Sequence, residues 1–307
     1  MTAPGVSVVV CTRSRADSCA RTVASLLAAA RPGVETIVVD QSPDPETRLA
    51  IEALPSGDAV RHVASPTRGL SAARNHGLRL ARGELVVFTD DDCVVKPDWA
   101  EAWGRAFAAA PEMGVGFGQV SCPPYDPTQG YTAGFDVRAG SHGVELFRLG
   151  TGQVGMGANM AVPRRVWEEV GGFDEGLGAG ARFVSAEDAD FAYRAVRTGR
   201  RILHVREARV WHHGYREGAH ASELMRGYVA GISAMYVKHV RCGDRTALRL
   251  LVSDLGHHAA KVARNVPRRT RPTGLGGLAF YLRGIGASWR WPVDPASRVY
   301  RPESSHA

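Results

Sequence analysis

Lysine is almost missing from this 307-residue chain: Lys96, Lys238 and Lys261 stand alone among 38 cationic side chains, and arginine makes up the rest. Cysteine is sparse too. Cys11, Cys19, Cys93, Cys122 and Cys242 are odd in number, scattered, and never spaced C-x-x-C. That pattern excludes a disulfide framework and a structural zinc site, and it fits a reducing cytoplasm. No run approaches the roughly 18 to 20 apolar residues a membrane-spanning helix needs. The chain also enters Val6-Ser-Val-Val-Val10 without the basic region, apolar segment and cleavage site of a secretory leader. A soluble, cytoplasmic protein is expected. The first strand turn, Cys11-Thr-Arg-Ser-Arg-Ala-Asp17, lacks the glycines of both G-x-G-x-x-G and G-x-x-x-x-G-K-[ST]. Without them the backbone cannot close on a pyrophosphate in the Rossmann manner, so dinucleotide dependence and P-loop hydrolysis are excluded.

What is present is globular. Hydrophobic residues make up 44% and charged residues 22%, unlike disordered or collagen-like chains. The net charge of +7 is a property of the tail: residues 241–307 hold 12 cationic against 4 anionic side chains, a net of +8, which leaves −1 for residues 1–240. Aromatics suited to base stacking are confined to the end of that tail, so a nucleic-acid partner is not expected. The tail's basic and apolar stretch over residues 275–291 suits an anionic surface. Peripheral contact with the inner membrane face is therefore expected, beside the plainer reading of a solvated helical pair.

Hydrophobic period supplies the architecture. The β-branched run at 6–11 reads as a strand covered on both faces, and 17–30 follows with helical spacing. The alternation continues with strands at 35–40, 59–64 and 85–89 and helices at 45–54 and 70–82. It predicts an α/β fold with a mostly parallel sheet flanked by helices. Beyond Asp92, a helix at 97–109 and a strand at 115–120 precede residues 123–152, which have no period and read as irregular and substrate-facing. A strand at 157–162, helices at 164–170 and 186–198 and a short strand at 201–205 complete this part. Three helical stretches follow, at 222–240, 245–264 and 275–288. The division expected is an α/β domain over 1–218, then a basic helical extension over 219–307.

Ligands of such sheets gather at the carboxyl ends of the strands. Asp90-Asp91-Asp92 end one of them. Three carboxylates at a buried strand end repel one another unless a cation neutralises them, and a divalent ion carrying diphosphate oxygens does so. An aspartate run is otherwise an ordinary solvated turn. Asp40 ends the second strand and can accept from the imide N–H of uracil or thymine, although Asp is also common turn chemistry there. Arg74 suits either a phosphate or a structural pairing with an aspartate. In Ser185-Ala-Glu-Asp-Ala-Asp190, Ser185 and Asp188 match a capping box, while a carboxylate fixed at a helix start also suits a general base. His212-His213 offers an imidazole to a metal or merely occupies a strand.

In order along residues 5–215, the motifs Val6-Ser-Val-Val-Val-Cys-Thr-Arg13, Val38-Val-Asp-Gln-Ser42, Arg68-Gly-Leu-Ser-Ala-Ala-Arg-Asn75, Phe88-Thr-Asp-Asp-Asp92, Gly171-Gly-Phe-Asp-Glu175, Glu187-Asp-Ala-Asp-Phe191 and Val210-Trp-His-His213 resemble the inverting nucleotide-sugar glycosyltransferases of glycosyltransferase family two. These share the GT-A fold, Rossmann-like in its sheet, and the resemblance implies a catalytic domain over 1–218 with a nucleotide-sugar half to about 120 and an acceptor half over 121–218. The resemblance implies that Thr12, Arg13 and Asp40 line the nucleoside pocket, with Arg74 and Asp91 also on the nucleotide sugar. It implies that Asp90, Asp92 and His212 hold Mn²⁺ or Mg²⁺ on the diphosphate, the choice between His212 and His213 staying open. Asp188 becomes the base that deprotonates the acceptor, and Glu187, Gly178 and Phe183 stand at the acceptor. The implied reaction moves a sugar from a UDP- or dTDP-sugar to a hydroxyl or amine of a small-molecule, saccharide or lipid-linked acceptor. Two other readings remain: a nucleotidyltransferase, and a non-catalytic sugar-nucleotide or nucleic-acid binding module.

Overall fold

The computed structural model describes residues 5–55, 59–138, 140–143, 147, 154–265 and 274–301. In chain order the elements are β1 (Val6–Thr12), α1 (Ala16–Ala28), β2 (Val34–Asp40), α2 (Glu46–Glu52), β3 (Val60–Ala64), α3 (Leu70–Leu80), β4 (Leu85–Asp90), β5 (Cys93–Val95), α4 (Trp99–Ala109) and β6 (Val115–Ser121). They continue with β7 (Gly130–Tyr131), β8 (Gly140–His142), β9 (Asn159–Pro163), α5 (Arg164–Val170), α6 (Glu187–Arg197), β10 (Ile202–His212) and β11 (Arg216–Glu217). The C-terminal part holds α7 (Gly218–Arg241), α8 (Arg245–Asn265), α9 (Leu275–Arg290), β12 (Val293–Asp294) and β13 (Val299–Tyr300).

The main sheet runs β3-β2-β1-β4-β9-β6-β10-β5, with β8 beside β10. Its first four strands are mutually parallel, as the β-α rhythm predicts. Beyond β4 the sheet is mixed, because β9 lies antiparallel between β4 and β6. Successive residues of a strand face opposite sides, and both sides are covered. Val9, Ile37, Val39 and Phe88 enter one core while Val8, Val10, Val38 and Val87 enter the other. That is why these strands read as continuous apolar runs rather than alternating ones.

Three features differ from the sequence expectation. The short strand at 201–205 is the start of an eleven-residue strand, β10, whose register against β6 shifts between Val205 and Arg209. That irregularity carries Glu207 through the break in period which hides the strand in the sequence. The C-terminal segment contains a small hairpin, β12–β13, besides its three helices. Finally, α7 is locked to the sheet domain by buried charge. Lys238 Nζ lies 2.6 Å from both Asp174 and Asp190, and all three side chains are fully buried. Arg194 and His239 also reach Asp190, each at 2.9 Å, and Tyr300 N donates to Asp174 at 2.9 Å. Burial works against ionising Asp190, yet Lys238, Arg194 and His239 hold its carboxyl far below the usual range. Such a cluster survives burial only because every charge has a partner.

Of residues 123–152, the described stretches hold β7, β8 and turns, and 139, 144–146 and 148–152 lie outside the described residues. The irregular reading of that segment agrees with what is described.

Candidate active site

The carboxyl ends of β1 and β4 open into a cavity of about 770 Å³, lined among others by Thr12, Arg13, Asp90, Asp92, Asp188 and His212. Parallel pairing of β1 with β4 puts Cys11 opposite Asp90, so Thr12 and the aspartates emerge together. Thr12 Oγ1 donates to Asp91 Oδ2 at 2.7 Å. Arg15 spans the next two carboxylates, 2.5 Å from Asp91 Oδ1 and 2.7 Å from Asp92 Oδ2. This arginine supplies part of the neutralisation that the aspartate run demands, and no sequence motif singled it out. Burial still pushes Asp91 up to about 6, with Arg15 and Thr12 opposing. Asp92 goes the other way. Burial would raise it, but the His212 hydrogen bond and charge, with Arg15, hold it far below the usual range.

His212 reaches Asp92 through strand pairing. β5 runs antiparallel to β10 with Cys93 opposite His212, and Asp92 immediately precedes β5. The imidazole Nδ1 donates to Ala133 O at 2.8 Å, which turns Nε2 toward Asp92 Oδ1 at 3.2 Å. That oxygen is buried without a well-aligned hydrogen-bond donor. A neutral imidazole so oriented presents a lone pair to a carboxylate oxygen, an arrangement completed by a proton or by a cation. Burial opposes the proton, yet Asp92 and Asp90 raise the His212 imidazole above its ordinary value. Asp92 and His212 offer donors that fit a divalent cation of the Mn²⁺ or Mg²⁺ kind, while Asp90 lines the same cavity with its Oδ1 held by Arg74 at 3.3 Å, outside the group whose ligand atoms lie within 4.8 Å of one another. Cys93 Sγ lies within 4.8 Å of the Asp92 and His212 ligand atoms. Burial and the neighbouring aspartates push its thiol well up, which leaves a neutral sulfur unsuited to a hard cation. Adjacent His213 is exposed, so the structure turns only His212 inward.

The second group of carboxylates stands at the start of α6. Arg74, buried on α3 against the rings of Phe88 and Phe173, binds Glu187 Oε1 at 2.8 Å and Asp90 Oδ1 at 3.3 Å. It ties the strand-end aspartates to the helix. Burial and Asp188 raise the Glu187 carboxyl, with Arg74 opposing. Asp188 is half-buried at the cavity wall, where its Oδ2 accepts from Gly157 N and its Oδ1 from Ala189 N, both at 2.7 Å. The capping box expected of Ser185 and Asp188 does not form. The N-cap is Ala186, left-handed at φ 74°, and the Ser185 hydroxyl donates to Gly227 and Tyr228 carbonyls of α7 instead. A non-glycine residue held in that region marks strain stored beside the site.

Asp40 does not line the cavity. It is buried, with Oδ1 accepting from Ser42 N at 2.9 Å and Oδ2 facing His62 Nε2 at 2.9 Å, while neighbouring Gln41 reaches the cavity. Gly178 lies behind the wall in the left-handed region at φ 99°, where an added Cβ would come within 3.0 Å of Ser71 Oγ. Phe183 packs on Tyr300 with ring centroids 5.1 Å apart and borders a separate cavity. The wall beyond Asp188 is built by Tyr131 and by α7, α8 and α9, for which the sequence carried no motif.

Comparison with known proteins accounts for this arrangement. The family model for glycosyl transferase family 2 matches residues 7–160, and that for glycosyl transferase family group 2 matches residues 85–282. Glucosyl-dolichyl phosphate glucuronosyltransferase of Haloferax volcanii is 33% identical over 220 residues, 67% of this chain and 68% of the relative. Among solved structures, the mannosyltransferase PcManGT of Pyrobaculum calidifontis, in complex with GDP-Man and Mn²⁺, aligns with a TM-score of 0.60 at 21% identity, covering 97% of this chain and 78% of its own. TarS 1–349 of S. aureus aligns at 0.63 with 16% identity, covering 92% and 79%. The fold is thus that of the GT-A glycosyltransferases. The chain belongs to glycosyltransferase family 2 and is a transferase enzyme. The nucleotidyltransferase and non-catalytic readings fall with that membership. No helix among the described residues is long and apolar enough to cross a membrane.

Proposed function

We propose that this glycosyltransferase is cation-dependent and inverting, moving a sugar from a UDP- or dTDP-sugar to an acceptor hydroxyl. The observation that carries the reading is that the Asp90–Asp92 and His212 cluster and the half-buried Asp188 open onto one cavity. Residues 1 to about 120 serve the donor, and residues 121–218 serve the acceptor together with α7–α9. Arg13, Arg15 and Arg216 bring guanidinium groups to the diphosphate end of the cavity.

In the displacement, the acceptor oxygen bonds to the anomeric carbon as the bond from that carbon to the diphosphate oxygen breaks. Asp188 takes the acceptor's proton, and the diphosphate leaves with the electron pair. Asp90, Asp92 and His212 would hold a divalent cation, which would supply positive charge to that leaving group. Arg74 keeps Glu187 and Asp90 in place, and Gly157 N fixes the Asp188 carboxylate for attack along one line. Peripheral attachment to an anionic membrane suits α9, where Leu275, Leu282 and Trp289 recur every seven residues and are 49%, 49% and 57% exposed beside Arg283 and Arg290.

The test is thermal stabilisation by UDP, dTDP and GDP with Mn²⁺ or with chelator, on the wild type and Asp92→Ala. Binding of UDP or dTDP that needs Mn²⁺ and is lost in Asp92→Ala supports the reading. Equal binding under chelation removes the cation from it.

A further inference from the structure

A second cavity, of about 1320 Å³, lies across α7 from the first, and among the described residues the two share only Val184 as a lining residue. On α7 it is lined by Glu223, Arg226, Gly227 and Ala230, spaced i, i+3, i+4 and i+7. Met225, Tyr228 and Ile232, which line the catalytic cavity, lie on the opposite side of that helix. The facing wall is α9, through Phe280, Arg283, Gly284, Ala287 and Trp291. Gly284 sets the width of the groove: a Cβ there would overlap Ala230 O of α7, so the two helices touch at that point. Phe183 and Tyr300, both buried, close the floor.

The rim is cationic. Arg68, Arg182, Arg226, Arg283 and Arg301 line it against two acids, Glu175 and Glu223. A guanidinium keeps its charge at any pH at which the chain is folded. Arg301 lies 3.9 Å from Asp294, and Glu175 accepts from Asn75 Nδ2 at 2.9 Å. Among the described residues the other four arginines make no ion pair. Rings hold three of them instead. Arg182 lies over Trp291, 4.4 Å from the ring centroid, and the Trp291 ring is fixed by its Nε1, which donates to Arg301 O at 2.9 Å. Arg226 from α7 and Arg283 from α9 both lie against the Phe280 ring, at 5.5 and 5.9 Å. Two guanidiniums on one ring repel each other, and an anion between the walls offsets that repulsion.

The geometry narrows the anion. With guanidiniums over Trp291 and Phe280, those rings offer no free face to a stacking base, which disfavours a nucleic acid. The groove face of α9 is turned away from its exposed stripe of Leu275, Leu282 and Trp289, so a lipid surface on that stripe does not reach the groove. A carboxylate is planar and is met in its plane, whereas phosphate oxygens are tetrahedral and are met from several directions. Here guanidiniums arrive from four segments: Arg68 ahead of α3, Arg182 ahead of α6, Arg226 on α7 and Arg283 on α9. We propose that the α7–α9 groove binds a soluble polyvalent phosphate, a diphosphate or a larger phosphate ester, at a site apart from the glycosyl-transfer cavity. Arg226 and Arg283 hold it from the two walls, and Arg68 and Arg182 hold it from the end nearest Val184.

Inorganic diphosphate is the probe, titrated calorimetrically in metal-free buffer into the full-length protein carrying Arg13→Ala/Arg216→Ala, which removes two guanidiniums of the catalytic cavity. Citrate and dihexanoyl phosphatidic acid are the comparison arms. Diphosphate is expected to bind more tightly than either, and the further change Arg226→Ala/Arg283→Ala to weaken it at least about 10-fold. Both of those side chains are exposed, so an unchanged melting temperature is expected of their loss. No saturable binding of diphosphate, or binding undiminished by the further change, overturns the site. Citrate binding as tightly as diphosphate overturns the phosphate assignment, and tighter binding of the phosphatidic acid assigns the anion to a lipid headgroup and overturns the soluble source. In the otherwise wild-type chain, Arg226→Ala/Arg283→Ala is expected to keep Mn²⁺-dependent binding of UDP. Loss of it would put these arginines on the donor's path and overturn a separate site. Wild-type protein that takes no UDP, with diphosphate binding still lost in Arg226→Ala/Arg283→Ala, refutes the donor reading and supports the groove.

Discussion

Asp188→Asn separates proton acceptance from shape. In the folded chain Asp188 accepts from Gly157 N through Oδ2 and from Ala189 N through Oδ1, both at 2.7 Å. Asparagine has one acceptor oxygen, and the long-range bond to Gly157 is the one worth keeping. Its amide nitrogen then faces the Ala189 N–H at the open end of α6, where the half-buried side chain leaves room for water. Losing one such contact costs about 1 kcal/mol, a fall in Tm of roughly 2 to 4 °C for a chain of this size. An amide cannot take the acceptor's proton, and a missing general base costs about 10² to 10⁴ in rate, or about 2.7 to 5.4 kcal/mol of barrier. The two effects differ enough to be told apart on one preparation. Melting temperature, donor affinity and release of nucleotide diphosphate should show a nearly stable protein, an unchanged donor Kd and kcat down by at least about 100-fold. Near wild-type turnover with normal donor binding would refute the reasoning. Glu187 would then be the next carboxylate to test, although its ion pair with Arg74 leaves it less free to move. Asp190, the neighbouring aspartate of the same motif, is no matching control, because it is fully buried among Lys238, Arg194 and His239.

That buried cluster carries its own prediction: Lys238→Met leaves Asp174 and Asp190 short of a cation and should lower stability by about 3 to 5 kcal/mol, read as the denaturant midpoint. A wild-type midpoint would contradict it. Burial pushes Asp254 up to about 6, with His257 opposing, against an unfolded value of about 3.9. Because the folded chain holds this proton more tightly than the unfolded one, its contribution to stability is full below about pH 4 and is lost as pH rises through about 6. Asp254→Asn should therefore melt higher than wild type at pH 7, with the advantage shrinking toward pH 4; a constant difference across that range would argue against the assignment. For the α9 stripe, the full-length protein should float with vesicles containing phosphatidylglycerol at low salt and be released by added salt, and Leu282→Glu/Trp289→Glu should stay in the soluble fraction. Wild-type protein that ignores such vesicles ends the membrane proposal.

What the sequence determined by itself is everything written in local period and turn chemistry. The apolar runs of β1, β2 and β4 and the helical spacing of α1 and α3 follow from burial on two faces or on one stripe, and a parallel start to the sheet follows from their alternation. The aspartates at the end of β4 and the carboxylates at the start of α6 were legible because charged groups beside a buried strand end or a helix start need a reason. Tertiary structure alone decided how those groups were completed. The antiparallel pairing of β5 with β10 brings His212 to Asp92, and no local signal distinguishes it from His213. Arg15 looked like any turn arginine until Asp91 and Asp92 stood opposite it. Asn159 reads as a polar residue in a strand, yet it is fully buried and bonded to Trp99, Trp103, Gln119 and Ala208. Phe183 looked like part of a ligand wall and packs instead on Tyr300, which arrives from the far end of the chain. The helices α7 and α8 bear no motif at all, and they wall the cavity because Lys238 and His239 are drawn into the core by Asp174 and Asp190. Local pattern records which face of an element is buried; which partner buries it depends on segments distant in the chain, whose charges and shapes meet only after the fold has closed.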